Sequence, residues 1–326
     1  MVYSEIIGVG HYVPARIVKN KELEKYVETS DQWIASRTGI KERRITMGEK
    51  TSKLGVSAAR KALEQAEINA REIDMIILAT ITPEFFTPST ANLVQAELGL
   101  QEIPSFDISA GCTGFIYALQ IADQFIKSGQ CQTILVIGAE TLSKITDWQD
   151  RNTCVLFGDG AGAAILRKSN QQGIVSTYTG SQGDREGFLT APAVALANPF
   201  FGQHDSDQPS FIAMNGKEIF KFATQIMVKS IDYLLKINHL TIDEIDYIIP
   251  HQANYRIIDY VAKKYAIHSD KFYKNMDRFG NTSAASIPIA LAEMHHRQML
   301  DSGDRIIMVG FGGGLTWGSV LFHWTL

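Results

Sequence analysis

The 326-residue sequence predicts an α/β fold built from two similar halves. Two observations support this prediction. Short apolar runs of strand length alternate with longer helical patterns, and continuous apolar runs between helices indicate strands buried on both faces. The same order of elements, with recurring sequence, also appears once in each half of the chain.

The predicted elements follow one another in a regular alternation. The runs of strand length are Asp74–Thr80, Thr133–Gly138, Ala161–Leu166, Asp246–Ile249 and Arg305–Gly310. The helical patterns between and beside them cover Ser52–Ala66, Gly114–Lys127, Gly216–Lys236 and Ile287–Leu300. A strand-like SFDIS at 105–109 leads directly into the helix that begins near Gly114.

An internal repeat divides the chain. The pattern EID-x-II occurs with its aspartate at Asp74 and again at Asp246, an offset of 246 − 74 = 172 residues. A serine-glycine pair before a strand recurs at 128 and 302, an offset of 302 − 128 = 174. Two matches in one order predict a duplicated half, with domains at 1–170 and 171–326 related by a pseudo-twofold axis.

Composition excludes several classes of protein. The chain is 45% hydrophobic and 20% charged with a net charge of −4, which does not favour nucleic-acid binding by the chain as a whole. We find no signal-peptide pattern and no run approaching the roughly 20 apolar residues of a membrane span. Three scattered cysteines indicate neither a disulfide framework nor zinc. We therefore expect a soluble, cytoplasmic protein without a metal.

Cys112 is the candidate nucleophile. It lies among small residues in Ser109–Phe115 (SAGCTGF), at the entrance to a helix whose free N–H groups favour a thiolate. The alternative is a buried structural cysteine, which is the usual role of an isolated one. That structural role is our interpretation of Cys131 and Cys154.

His251 and Asn281 are the candidate polar partners. His251 follows the apolar strand of the second half, where α/β folds commonly place their sites, although it could simply cap the next helix. Asn281 could be an ordinary helix N-cap, but it occupies a helix entrance that corresponds to that of Cys112. The remaining histidines are interpreted as surface or core residues: His11, His204, His239, His268, His295, His296 and His323.

Two glycine-rich segments have different interpretations. Gly310–Leu315 could direct backbone N–H groups at an oxyanion, or form a tight turn between two strands. The segment at 157–162 (FGDGAG) precedes an apolar run instead of joining a strand to a helix, so it does not match a dinucleotide-binding loop.

Six segments in order resemble the β-ketoacyl-acyl carrier protein synthase III family of the thiolase superfamily. They are TSDQWIASRTGIKERR (29–44), SFDISAGCTGF (105–115), FGDGAGAAIL (157–166), PHQANYRII (250–258), RFGNTSAASIP (278–288) and GFGGGLTWGS (310–319). This resemblance implies a five-layered αβαβα fold, a homodimer, an acyl-CoA primer, a malonyl-acyl carrier protein extender and no permanently bound cofactor.

The resemblance also implies roles for individual residues. Cys112, His251 and Asn281 would form the catalytic triad, and the N–H groups of Cys112 and Gly313 the oxyanion hole. Further implied contacts are Trp33, Arg37, Arg151 and Gly216 for CoA, and Arg256 with Lys221 for the carrier protein.

Two positions depart from acetyl-selective members of that family. Thr87 replaces a Phe that closes the acyl pocket across the dimer, which predicts a longer primer unless Phe86 fills the space. Lys217 stands where those members have Asn, near the pantetheine.

Other functions remain open at this stage. A specialised relative would transfer acyl groups without extension or make a secondary metabolite. An enzyme of another class would be a cysteine thioesterase, and a non-enzymatic binding scaffold would form no acyl adduct on Cys112.

Overall fold

The computed structural model describes residues 2–195, 200, 210–266 and 269–326. Its strands are β1 (Tyr3–Tyr12), β2 (Ile17–Lys19), β3 (Glu42–Arg44), β4 (Met75–Ala79), β5 (Ser105–Ile108), β6 (Thr133–Thr141), β7 (Asp159–Ser169), β8 (Ile174–Ser181), β9 (Leu189–Thr190), β10 (Ala213–Met214), β11 (Tyr247–Pro250), β12 (Arg305–Gly312) and β13 (Thr316–His323). Its α-helices are α1 (Asn20–Leu23), α2 (Asp31–Thr38), α3 (Thr51–Gln65), α4 (Thr90–Glu97), α5 (Gly114–Lys127), α6 (Gly216–Ile237), α7 (Tyr255–Lys264), α8 (Met276–Phe279) and α9 (Ser286–His296).

Two large sheets share one topology. The first has the order β5-β4-β6-β7-β1, in which β4 is parallel to β5 and β6, while β7 is antiparallel to β6 and β1. The second has the order β11-β12-β13-β8, with β11 parallel to β12 and β13 antiparallel to both its neighbours. A parallel bridge between Ile248 and Phe272 lies where β5 lies in the first sheet. The order and directions of β4-β6-β7-β1 thus recur in β11-β12-β13-β8.

The helices complete five layers. Between the two sheets, α5 and α9 bury apolar side chains from both of their faces in one central core. The outer face of the first sheet is covered by α3 and α4, and that of the second by α6 and α7. Each sheet is therefore apolar on both faces, which explains the continuous apolar runs in the sequence.

The predicted elements agree closely with the observed ones. All of the predicted strands and helices named above are present, within a few residues at each end. The helix α9 ends at His296, four residues before the predicted end, because Gln298 has a φ of 54° and cannot continue a right-handed helix. The predicted domain boundary near residue 170 lies between β7 and β8, which belong to different sheets. None of the helices in the described ranges is long and apolar enough to span a bilayer.

Candidate active site

Cys112 lies in a 3-10 turn, Gly111–Thr113, between β5 and α5. The end of β12 packs directly on this turn, since a Cβ added to Gly312 would lie 2.7 Å from the backbone nitrogen of Cys112. Gly111 has a φ of 53°, which a residue with a side chain adopts only with strain. The small residues of both segments therefore bring the two halves together at the nucleophile.

The corresponding turn in the second half is Ser283–Ala285, directly before α9. Cys112 occupies the middle of its turn, whereas Asn281 lies two residues before its own. The two helix entrances correspond as predicted, although Ala284, three residues after Asn281, is the positional counterpart of Cys112. The sequence contains no marker of where each turn becomes an α-helix.

One cavity of ≈ 370 Å³ nevertheless brings the three candidate residues together. Cys112 and His251 line it together with Asn281, and all three are buried. Its remaining wall near the thiol is mostly apolar, formed by Ile81, Leu142, Leu156, Phe157, Leu189 and Ile212. Gly216 and Asn254 also line it. This arrangement is an apolar chamber with a nucleophile and two polar groups, typical of a binding site for a small acyl group.

The ionisation of Cys112 differs from the expectation. A helix entrance predicts a lowered pKa, but burial, together with a smaller contribution from the nearby Glu140 carboxyl, raises the pKa of this thiol to about 12. The polar Ser283 side chain acts in the opposite direction and is outweighed. The resting form at neutral pH is therefore the thiol, so a proton must leave when the sulfur attacks.

Ser286 orients the His251 ring. Its hydroxyl oxygen lies 2.7 Å from His251 Nδ1 and accepts the Gln252 N–H at 3.5 Å. Because the serine oxygen accepts from the backbone, its hydrogen is available to donate to Nδ1, which favours the tautomer with hydrogen on Nε2. Burial lowers the pKa of His251 to about 3, so the ring is neutral at physiological pH. A neutral imidazole with an Nε2–H is a hydrogen-bond donor.

Asn281 is oriented in a similar way. Its Oδ1 accepts the Ser283 N–H at 2.9 Å, and its backbone is held to Leu156 and Gly158 at 2.8 and 3.0 Å. Since the carbonyl oxygen of the carboxamide is occupied by the backbone, the Nδ2 amide remains as the donor for a ligand in the cavity. The site thus offers two donors opposite one thiol.

Gly313 lies beside the nucleophile. A Cβ added to Gly111 would be 3.3 Å from the Gly313 nitrogen, so this backbone N–H adjoins the Cys112 turn. Gly313 lies in the turn between β12 and β13, as the tight-turn interpretation predicts. It also lines the cavity, and its role as an oxyanion donor stays a prediction.

The residues implied for CoA lie partly at the cavity and partly on the surface. Arg151 stacks over the Trp33 ring at 4.8 Å, and Arg37 lies 6.0 Å from it. Both arginines are exposed, and Gly216 lines the cavity as the first residue of α6. Lys217 is exposed beside it.

The other implied residues are exposed. Arg256 donates to the Ser36 carbonyl at 3.0 Å, and Lys221 projects from α6. Phe86 and Thr87 are exposed and do not line the cavity within this single chain.

Among the described residues, the other cysteines and histidines do not line the cavity. Cys131 and Cys154 are buried and free, and burial raises the pKa of each thiol. Of the other histidines, His204 and His268 lie outside the described residues. The described part of the chain holds no cluster of His, Cys, Asp or Glu suited to a metal ion.

Three residues next to the site were not predicted: Ser286, Ser283 and Glu140. Ser283 and Ser286 both follow Asn281 in the segment NTSAAS, which is a weak signal for side chains grouped at one helix entrance. Glu140 interrupts an apolar strand, and a charged residue in such a run is unusual because charged side chains are rarely buried unless they have partners.

The fold and the site together define a class of enzyme. Five layers, a doubled sheet topology, and a thiol, imidazole and carboxamide in one cavity are the features of a thiolase-fold condensing enzyme. Residues 106–183 match the family described as 3-oxoacyl-[acyl-carrier-protein] synthase III, and residues 235–324 match its C-terminal part.

Similar proteins agree with these matches. The β-ketoacyl-[acyl-carrier-protein] synthase III of Clostridium acetobutylicum is 52% identical over 98% of both chains. That of Clostridium novyi is 53% identical over 99% of this chain and 100% of the relative. The crystal structure of 3-oxoacyl-[acyl-carrier-protein] synthase III from Aquifex aeolicus has a TM-score of 0.92 and 46% identity, covering 98% of this chain and 100% of that one. The chain belongs to the β-ketoacyl-acyl carrier protein synthase III family and is a condensing acyltransferase of fatty acid biosynthesis.

Proposed function

We propose that the enzyme transfers an acyl group from acyl-CoA to Cys112 and condenses it with malonyl-acyl carrier protein. The product would be a 3-oxoacyl-acyl carrier protein. The observation that carries this proposal is the single cavity lined by the Cys112 thiol, the His251 imidazole and the Asn281 carboxamide.

The first half-reaction forms the thioester on Cys112. As the sulfur attacks the acyl-CoA carbonyl it loses its proton, and the carbonyl oxygen becomes negative. The N–H groups of Cys112 and Gly313 would stabilise that charge, a proposal supported by the contact of Gly313 with the Cys112 turn, and one such donor typically contributes about 3 kcal/mol. CoA then leaves as the thiol.

The second half-reaction uses the two side-chain donors. His251 Nε2–H and Asn281 Nδ2–H donate to the thioester oxygen of the malonyl group. Loss of CO₂ makes this oxygen enolate-like, so the two hydrogen bonds strengthen in the transition state. The carbanion attacks the acyl carbonyl on Cys112, and the cysteine sulfur departs and regains a proton.

Substrate binding outside the cavity follows from exposed charge and aromatic groups. The stacked pair of Trp33 and Arg151 offers a flat cationic surface for the nucleotide end of CoA. Arg256 and Lys221 are exposed cations suited to an acidic carrier protein. Exposed Phe86 and Thr87 are available to a second copy of the chain, which supports a homodimer closing the acyl pocket, and the primer would then be longer than acetyl.

The cellular compartment of the reaction is inferred from the cysteines. Three free cysteines fit a reducing compartment, and we infer that the enzyme works in the cytoplasm without a permanently bound cofactor. The two domains of the proposal, 1–170 and 171–326, each contain one large sheet.

The two half-reactions are tested separately. His251→Ala and Asn281→Ala variants are incubated with acyl-CoA alone and, separately, with malonyl-carrier protein alone. Adduct formation is read by intact-protein mass spectrometry and decarboxylation by release of CO₂. We expect decarboxylation to fall more than acylation in both variants, and the reverse would mean that the roles are misassigned. Free acid without carbon–carbon bond formation would identify a thioesterase instead.

A further inference from the structure

Two buried threonines join the nucleophile turn to the glycine-rich turn of the second half. Thr113 directly follows Cys112 and is fully buried, and Thr316 is the first residue of β13 and is 9% exposed. The Thr113 hydroxyl oxygen lies 2.9 Å from that of Thr316, although the two residues are 203 positions apart in the chain. This contact therefore connects the two halves of the molecule beside the reactive sulfur.

The same two hydroxyls also contact backbone carbonyls on both sides of the junction. Thr113 lies 2.7 Å from the Ala110 carbonyl oxygen. Thr316 lies 3.1 Å from the Gly313 carbonyl oxygen and 3.3 Å from that of Ala110. Each hydroxyl has one hydrogen, so the arrangement that spans the junction has Thr113 donating to Thr316 and Thr316 donating to Gly313. The Thr316 hydroxyl thus bridges the turn of Cys112 and the turn of Gly313.

The two turns are in direct backbone contact at this place. A Cβ added to Gly312 would lie 2.7 Å from the Cys112 nitrogen, and one added to Gly111 would lie 3.3 Å from the Gly313 nitrogen. The separation of the Cys112 and Gly313 N–H groups therefore depends on how one turn is held against the other.

The glycine-rich turn is also attached to the second half. The Gly314 carbonyl accepts the Asp184 N–H at 3.0 Å, and Asp184 belongs to the segment that follows β8 in the second sheet. The Thr316 hydroxyl reaches in the other direction, to Thr113 of the first half. Its loss would leave the turn attached to its own half but free to move relative to Cys112.

We propose that Thr113 and Thr316 form a clamp that positions the N–H groups of Cys112 and Gly313 for the oxyanion of acylation. This inference rests on the proposed acyl-transfer function. Oxyanion donors must be aimed in advance at one oxygen, and a misplacement of about 1 Å in an active site can cost about 100-fold in rate. Both threonines are positioning residues, because they act through the backbone of the two turns.

The threonine clamp predicts an effect on one kind of reaction at Cys112. Acylation passes through a tetrahedral carbon that carries a negative oxygen, whereas alkylation by iodoacetamide displaces iodide and forms no oxyanion. Both reactions use the same sulfur, and in both the thiol proton goes to solvent. A variant that merely disturbs the cavity slows both reactions, but a variant that misplaces the two N–H groups slows acylation alone.

The test compares these two reactions in the purified enzyme. With p-nitrophenyl acetate as acyl donor, the sulfur–carbon bond forms, the bond to p-nitrophenolate breaks, and the released p-nitrophenolate is measured as a single-turnover burst. Peptide mass spectrometry locates the acetyl group on Cys112 and follows iodoacetamide alkylation at the same pH. The variants are Thr316→Val, Thr316→Ser and Thr113→Val. Thr133→Val is the matched control, because its buried hydroxyl accepts from Arg167 and does not line the cavity.

The three variants should differ in a defined order. Thr316→Val replaces the hydroxyl with a methyl group of similar size and should slow acylation by about 10- to 100-fold, while alkylation changes by less than about twofold. Thr316→Ser keeps a hydroxyl and should stay within about threefold of the wild-type rate in both reactions. Thr113→Val should slow acylation by only about three- to tenfold, because the Thr316 hydroxyl still reaches Gly313.

Three results would overturn the clamp. One is equal slowing of both reactions, or no slowing of acylation, in folded Thr316→Val. Another is a loss in Thr316→Ser as large as that in Thr316→Val. The third is acetylation of wild-type Cys112 that, relative to alkylation, is no faster than that of free cysteine, since no oxyanion would then be stabilised. Circular dichroism identifies a variant that fails to fold, and Thr113→Val then provides the same comparison.

Failure of the proposed function gives a different result. A wild-type enzyme that is acetylated by the ester but not by acyl-CoA would contradict the proposed function. The clamp would stand in that case if Thr316→Val still lost acetylation by the ester and kept its alkylation rate.

Discussion

Replacing Ser286 with alanine isolates the control of the His251 ring. The substitution removes a hydroxyl that lies 2.7 Å from Nδ1 and leaves the thiol and the carboxamide unchanged. The ring keeps its packing against Phe311, whose centroid is 5.3 Å away in an edge-on arrangement. The imidazole therefore stays in the cavity but loses the partner that favours hydrogen on Nε2.

The expected loss of decarboxylation rate follows from that one hydrogen bond. A typical protein hydrogen bond contributes about 0.5–1.5 kcal/mol. Since about 1.4 kcal/mol changes a rate tenfold, decarboxylation should slow by about two- to thirteenfold. Acylation of Cys112 by acyl-CoA does not use the Nε2–H, so its rate should change by less than about twofold.

The assay measures CO₂ release from malonyl-carrier protein and adduct formation from acyl-CoA in parallel. Ser319→Ala is the control, because Ser319 is also fully buried but lies on β13 against Ser230. An equal loss in both half-reactions of Ser286→Ala, or no loss in decarboxylation, would refute the assigned tautomer.

Three further predictions test other parts of the structure. Trp33→Ala should raise the KM for acyl-CoA. It should leave unchanged the rate with an acyl-pantetheine thioester, because that substrate lacks the nucleotide. Equal effects on both substrates would exclude nucleotide stacking. Because burial lowers the pKa of His251 to about 3, its ring stays neutral from pH 5 to 8, so a fall in decarboxylation with a midpoint near 6.5 would contradict this assignment. Arg278→Ala removes a partner that lies 2.9 Å from the buried Glu293, which keeps Asn275 and Arg297, and should lower the free energy of unfolding in urea by about 2 kcal/mol. The exposed ion pair between Arg167 and Glu72 is the control. Arg167→Ala should lower the free energy of unfolding by less than about 1 kcal/mol.

The sequence predicts the central strands well because they are buried on both faces. The β4, β6, β11 and β12 runs are apolar without alternation, and the helices between them carry clear helical patterns. The repeat around Asp74 and Asp246 correctly indicates the shared topology. The sequence also singles out the candidate nucleophile and both candidate donors, because each stands in a short segment of small or polar residues. The structure places all three in one cavity, and their catalytic roles stay predictions.

The supporting residues depend on contacts between distant segments. Ser286 is 35 residues from His251. No local pattern contains such a pairing. The pKa of Cys112 was expected to fall because helix entrances favour thiolates, but the degree of burial, which opposes ionisation, is a property of the assembled halves.

The most direct test of the account is a single-turnover chase from Cys112. The enzyme is loaded with an isotope-labelled acyl group from acyl-CoA, freed of excess substrate, and then mixed with malonyl-carrier protein. The account predicts one label per chain on the Cys112 peptide, followed by complete transfer of that label into 3-oxoacyl-carrier protein. A label that resides elsewhere, or that leaves Cys112 as free acid when malonyl-carrier protein is added, would contradict it.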